Sequence, residues 1–246
     1  MCTVVLLRRP GHAWPLILGA NRDEMAARPW RAPGRHWPDR PEVTAGLDEL
    51  AGGSWLGLND EGVLAAVMNR EGALGPEAGR RSRGELVLEA LDHADAAAAA
   101  RALSALDAAA YRTFNLILAD DRGAFWLKGT GGGRVAVAPV PEGVSMIASG
   151  ELNDRAHPRI AAWLPSFEAA AAPDPAAGGW AAWETLMAAG PPAGAPGRAA
   201  MALPPREGYG TLSGALIALP AAGAARPAWR FCAARPGTAP WQDVAL

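Results

Sequence analysis

Cysteine is scarce in this chain, occurring only as Cys2 and Cys232. Two thiols cannot build a disulfide scaffold, and no CxxC or HExxH spacing is present, so neither a cross-linked secreted module nor a structural zinc site is expected. The expected metal complement is none. Long apolar runs are missing too. Nothing approaches the roughly 18 residues of a membrane span, and Arg8, Arg9 and Pro10 break the apolar stretch ending at Leu7, which is not the layout of a signal peptide. A cytoplasmic protein without a membrane span is the expectation. Clustered basic charge is also lacking. The net charge is -2 and arginine is spread along the chain, so the electrostatic footprint of nucleic-acid binding is absent. His12, His36, His93 and His157 lie far apart, beside Gly, Trp, Asp or Pro, and read as surface residues.

What is present suits one globular domain spanning residues 1–246, with 50% hydrophobic and 20% charged residues. The 29 Gly and 22 Pro are consistent with a GC-rich genome and weaken propensity arguments, so the pattern of apolar runs and turns carries the reading. Cys2–Leu7 and Pro15–Ala20 predict a hairpin. Ser54–Leu58 and Val63–Met68 predict a second across Asn59-Asp60-Glu61-Gly62, and Thr113–Ala119 with Ala124–Lys128 a third. Further strands are expected at Arg134–Ala138, Ser145–Ser149, Thr211–Leu219 and Pro227–Ala233. Ser82-Arg83-Gly84-Glu85 has capping-box spacing and predicts a helix from Ser82. Other helices are expected at Ala94–Asp107, Pro158–Ala170 and Trp180–Ala189. Strands, then helices, then strands imply layers of sheet and helix, not a parallel βαβ series.

Several residues stand out chemically. Removal of Met1 would leave Cys2 with a free amine and a thiol on one residue. An amine with a pKa of about 7.7–8 beside a thiol near about 8.5 can pass a proton, which makes a nucleophile with its own base; the alternative is a small buried hydrophobe. Asn21-Arg22-Asp23-Glu24 follows the second strand, next to the strand that Cys2 opens. There Asp23 would hold the amine and Arg22 a thiolate or oxyanion; the alternative is a solvated turn. Asn69, at the end of the strand Val63–Met68, would offer its amide to an oxyanion or cap a turn. Asn115, inside an apolar run, needs a partner.

Met1-Cys2-Thr3, Asn21-Arg22-Asp23-Glu24, Arg28-Pro29, Gly52-Gly53-Ser54-Trp55-Leu56-Gly57, Met68-Asn69-Arg70, Ser82-Arg83-Gly84-Glu85-Leu86, Asn115 and Gly208-Tyr209-Gly210-Thr211 occur in an order that resembles the NRDE family, also called the transport and Golgi organisation protein 2 family. That family in turn resembles N-terminal-nucleophile hydrolases of the penicillin V acylase and bile-salt hydrolase type. The resemblance implies an α+β fold, an αββα sandwich of mainly antiparallel sheets. It implies Cys2 as nucleophile, Arg22 and Asp23 around the amine and thiolate, and Asn69 as oxyanion donor. Asn21, Glu24, Asn115 and Asn153 are the candidates for substrate contact.

Two positions depart from the family pattern. Gly150 stands where an Asn is usual, and Leu212 stands where an Arg is usual. Two functions follow from the resemblance. One is hydrolysis of a C–N amide bond in a small molecule, with no resident cofactor. The other is a non-catalytic binding or trafficking role with a haem or acyl-lipid ligand. The ten Trp residues read mostly as packing, and the oligomeric state is left open.

Overall fold

The computed structural model describes residues 2–246. In chain order the strands are β1 (Thr3–Arg8), β2 (Leu16–Met25), β3 (Trp30–Gly34), β4 (Val43–Asp48), β5 (Leu56–Asn59), β6 (Leu64–Asn69) and β7 (Phe114–Ala119). They continue as β8 (Ala124–Gly129), β9 (Ala136–Pro139), β10 (Gly143–Ile147), β11 (Tyr209–Leu219), β12 (Ala228–Cys232) and β13 (Gln242–Asp243). The helices are α1 (Gly84–Leu91), α2 (Ala96–Ser104), α3 (Pro158–Ala169) and α4 (Ala181–Met187). Every ladder between strands is antiparallel. The architecture is α+β, and contacts divide the chain into two compact units.

The first unit joins the residues up to Ala27 with Pro141–Ala245. Its six-stranded sheet runs β10-β1-β2-β11-β12-β13. Alternation along the strands gives the sheet two different faces. On one face Val5, Leu7, Ile17, Met146, Leu216 and Ala218 pack with Ile160, Leu164 and Phe167 of α3 and with Trp183 and Met187 of α4. Phe167 and Trp183 meet edge to face, with ring centroids 5.1 Å apart. The opposite face carries Val4, Leu6, Leu18, Ala20, Ala215 and Ile217, which are also buried.

The second unit, Arg28–Val140 with Leu246, holds a seven-stranded sheet in simple sequential order, β3 to β9. One face packs on α1 and α2 through Val43, Ala45, Val63, Ala65, Phe114, Leu116, Leu118 and Leu127. Two glycine-bearing motifs of the sequence meet here. A Cβ at Gly53 would lie 2.5 Å from the carbonyl carbon of Gly84, and the Ser54 amide donates to Gly84 O at 3.1 Å. Backbone touches backbone at that point, so any side chain on Gly53 would have to push α1 away.

The three hairpins form as expected, and β3, β4 and β13 are strands the apolar pattern did not announce. Trp30-Arg31-Ala32-Pro33-Gly34 shows little alternation and β13 has only two residues, whereas Val43-Thr44-Ala45-Gly46-Leu47-Asp48 alternates with small residues in place of bulky ones. The capping box at Ser82 does not form. Helix α1 begins at Gly84, with Arg83 as an N-cap whose side chain makes no capping bond, and Ser82 Oγ accepts from the Gly84 amide at 3.2 Å. Glu85 turns instead to Arg81, 2.7 Å away. The first turn is instead held against the Gly53 backbone by the Ser54 amide bond to Gly84 O. Helix α2 has the cap that α1 lacks, with Asp95 accepting from the Ala98 amide at 2.6 Å.

Asn59 closes the other end of α1. Its Nδ2 donates to Leu91 O and His93 O, each at 2.8 Å, and its Oδ1 accepts from the Val63 amide at 2.8 Å. Replacing it strands two carbonyls and one amide. We expect Asn59→Ala to cost about 2–3 kcal/mol, read as a lowered urea midpoint with unchanged slope.

Candidate functional site

The Asn-Arg-Asp-Glu segment is not a loop beyond β2; it is the last part of β2 itself, whose ladder with β11 runs as far as Met25. Pairing with β11 along the whole segment, and with β1 at Asn21, holds these polar residues in the sheet, which overrides their turn propensity. Period-two alternation then sorts them. Asn21 pairs with Thr3 across β1, so continuing the ladder by one step sets Cys2 opposite Arg22, on the face turned away from α3 and α4. Thr3, Asn21 and Asp23 share the helix-bearing face.

Cys2 donates its S–H toward the backbone oxygen of Asp23 at 3.8 Å, and Tyr209 donates its hydroxyl to the same oxygen at 3.3 Å. Burial pushes the Cys2 thiol above its ordinary value. The Asp23 charge adds to the rise and the Arg22 guanidinium opposes it. Burial likewise raises the Tyr209 phenol, with Cys2 and Asp23 adding to the effect. Arg22 is only 5% exposed.

Behind this pair, on the helix side, the Asp23 carboxylate is fully engaged. Oδ2 meets Arg159 Nη1 at 3.0 Å, and Oδ1 accepts from Thr211 Oγ1 at 2.5 Å. The same Arg159 nitrogen also donates to Thr3 Oγ1. Thr211 Oγ1 in turn accepts from the Leu203 amide at 2.7 Å. Both charged side chains are sealed, at 2% exposure for Arg159 and 0% for Asp23.

The remaining candidates are engaged in contacts of their own. Asn21 donates through Nδ2 to Met187 O and Met201 O, both at 2.9 Å, and so ties β2 to the helix layer instead of facing the thiol. Its pairing partner is Gly214, where a Cβ would come 3.2 Å from Asn21 Oδ1 and 2.6 Å from Pro236. Glu24 accepts from the Met25 amide at 2.8 Å. Asn153, at φ 58°, bonds the Met146 amide and Ser145 Oγ, which shapes the loop after β10. In the second unit, Asn115 Oδ1 accepts from Arg70 Nη1 at 2.8 Å and from Trp126 Nε1 at 3.0 Å, and Asn69 closes β6 opposite Phe114.

Of the two departures, Gly150 is not demanded by shape, since a Cβ there would lie 3.4 Å from Asp154 Oδ2. Leu212 is the extra residue of a β-bulge, because Thr211 pairs with Asp23 while Ser213 pairs with the adjacent Arg22. Sequence reasoning missed Arg159, Thr211, Tyr209 and Thr3 as parts of the site. The Gly208-Tyr209-Gly210-Thr211 motif pointed toward two of them. For Arg159 no local signal existed. Among the described residues no group of three or more His, Cys, Asp or Glu is arranged to hold a metal ion, and no helix is long and apolar enough to cross a membrane. Met1, on whose removal the Cys2 amine depends, lies outside the described residues.

Antiparallel sheets backed by helices give an N-terminal-nucleophile-hydrolase-like α+β fold. Solved structures agree on that fold. The N-acylethanolamine-hydrolyzing acid amidase ortholog of Caenorhabditis elegans superposes with a TM-score of 0.59 at 11% identity, over 88% of this chain and 92% of its own. Penicillin V acylase from Agrobacterium tumefaciens superposes with a TM-score of 0.59 at 14% identity, over 99% of this chain and 86% of its own.

The chain belongs to the Transport and Golgi organisation 2 family, whose sequence profile matches residues 1–171. The transport and Golgi organization protein 2 homolog of Bos taurus is 43% identical over 115 residues, 44% of this chain and 40% of that protein. The Homo sapiens homolog is 38% identical over the same shares. The matched stretch thus spans 40% of the length of these relatives.

Asp23→Ala would leave the Arg159 charge buried without its carboxylate. We expect it to cost about 3–5 kcal/mol, measured by urea unfolding, whereas Glu24→Ala on the same strand costs little.

Proposed function

We propose that this protein is a cysteine-dependent N-terminal-nucleophile hydrolase that cleaves a C–N amide bond in a small molecule. The observation that carries the reading is the register of β1 on β2, which sets Cys2 opposite Arg22 on the face away from the helices. The fold adds support, since its solved neighbours are named an amidase and an acylase.

A thiol raised by burial stays protonated near neutral pH, so the reaction needs a base close by. Removal of Met1 supplies one, the α-amine of Cys2 itself. The amine takes the thiol proton, sulfur attacks the amide carbonyl carbon, and the carbonyl electrons move onto oxygen. Arg22 stabilises the thiolate and then the oxyanion. Collapse breaks the C–N bond, and the α-ammonium returns its proton to the departing nitrogen. Water then attacks the thioester carbonyl and gives its proton to the amine. Release of the acid restores the thiol.

The test is amine release from a panel of N-acyl compounds. Cys2→Ala is expected to abolish turnover while leaving the fold intact. An active preparation whose intact mass retains Met1 on essentially all molecules would falsify the mechanism, because the base would be missing.

A further inference from the structure

We infer that Arg159 is a positioning residue for the Cys2 thiol. A single guanidinium nitrogen, reaching in from the first turn of α3, joins Thr3 of β1 to Asp23 of β2 directly behind the Cys2–Arg22 pair.

The placement of Arg159 runs against every local preference. Arg159 is the second residue of α3, after Pro158, where the helix dipole is positive and a cation is disfavoured. It is also buried, which penalises its charge further. A position that breaks two rules together needs a compensating gain, and the Asp23 carboxylate 3.0 Å away provides it. The two contacts of Nη1 act on different strands. Thr3 is the first ladder residue of β1 and the immediate neighbour of Cys2, at a strand start that would otherwise fray. Asp23 supplies through its backbone the oxygen that faces the Cys2 sulfur. Holding both fixes the thiol on that oxygen from below.

The electrostatic consequence follows from the same contact. The Asp23 charge pushes the thiol up and Arg22 pulls it down. Arg159 counters Asp23 by direct contact and so limits how far the carboxylate raises the thiol. The groups acting on Cys2 are thus the terminal amine, Arg22 and Asp23 of β2 and Tyr209 of β11, with Arg159 behind Asp23. This role rests on the reading of Cys2 as the reactive group, but its test needs no substrate.

The experiment follows alkylation of Cys2 by iodoacetamide across pH 6 to 10 in the full-length chain, with Cys232 resolved separately by peptide mass. Arg159→Gln exposes the thiol to an uncompensated carboxylate and should raise the alkylation midpoint by about one pH unit, about tenfold in rate at a fixed pH below the midpoint. Asp23→Asn, which keeps an acceptor oxygen for Arg159, leaves the cation uncompensated and should lower the midpoint by a similar amount. The double variant carries neither charge and should return to within half a unit of wild type. Arg159→Lys retains the cation and should do the same.

Opposite shifts from the two single variants are what a merely structural role would not produce. Equal midpoints, or shifts of the same sign in folded variants, would overturn the assignment. Should one single variant fail to fold, the other compared with the double gives the same decision. A double variant more than half a unit from wild type overturns it alone. Absence of amide turnover would sink the hydrolase reading and leave this result standing, so the two failures are distinguishable.

Discussion

The pairing of Thr3 with Asn21 is the constraint on which the site depends. It fixes which residues of two adjacent strands share a face, and a slip of one position would carry Cys2 to the helix side. With this register the first unit separates its polar residues by parity. Cys2 and Arg22 face one way; Thr3, Asn21 and Asp23 face the helices. Each set then does different work. The front pair offers a thiol and a guanidinium, and the rear set locks the strands to α3 and α4 through Arg159, Met187 O and Met201 O. Arg22 and Asp23, consecutive residues of β2, thus serve the two faces without competing for the same space.

The bulge at Leu212 makes this separation possible on the neighbouring strand. Before the bulge Thr211 faces Asp23 on the helix side; after it Gly214, Leu216 and Ala218 occupy that same side. Without the extra residue, parity would carry either Thr211 or the apolar set to the other face. Thr211 could not then donate to the Asp23 carboxylate while accepting from the Leu203 amide. Leu212 therefore stands at the position that absorbs the register change. Its side chain brings no charge there, so the cation facing the thiol from β2 is Arg22.

Much of the fold was legible because its signals are local. Asn59-Asp60-Glu61-Gly62 and Asp120-Asp121-Arg122-Gly123 between apolar runs announced two hairpins, and both are present. Strand β3 gave no comparable signal. Trp30–Gly34 alternates poorly and contains a proline, and it is a strand because β4 pairs with it. Cys2, Arg22 and Asp23 were legible as a group from their strands and from the family motifs. The division of labour within Asn-Arg-Asp-Glu was not, because a turn and a strand end look alike in composition, and only pairing with a distant strand, here β11, decides between them.

Arg159 shows why part of a site escapes reading along the chain. It lies 136 residues from Asp23 and 156 from Thr3, within an arginine-rich sequence where one more arginine carries no information. Its one anomaly is a cation at a helix N-terminus, and that is informative only once the helix start and the burial are known. The same logic explains why the Gly53 and Gly84 motifs could be recognised but not understood from sequence. Each glycine appears as a flexible residue within its own segment. Their shared meaning is the absence of side chains where the backbone before β5 meets the start of α1. Chemistry borne by one residue can be read in sequence, but chemistry that two distant residues make together waits for the fold that joins them.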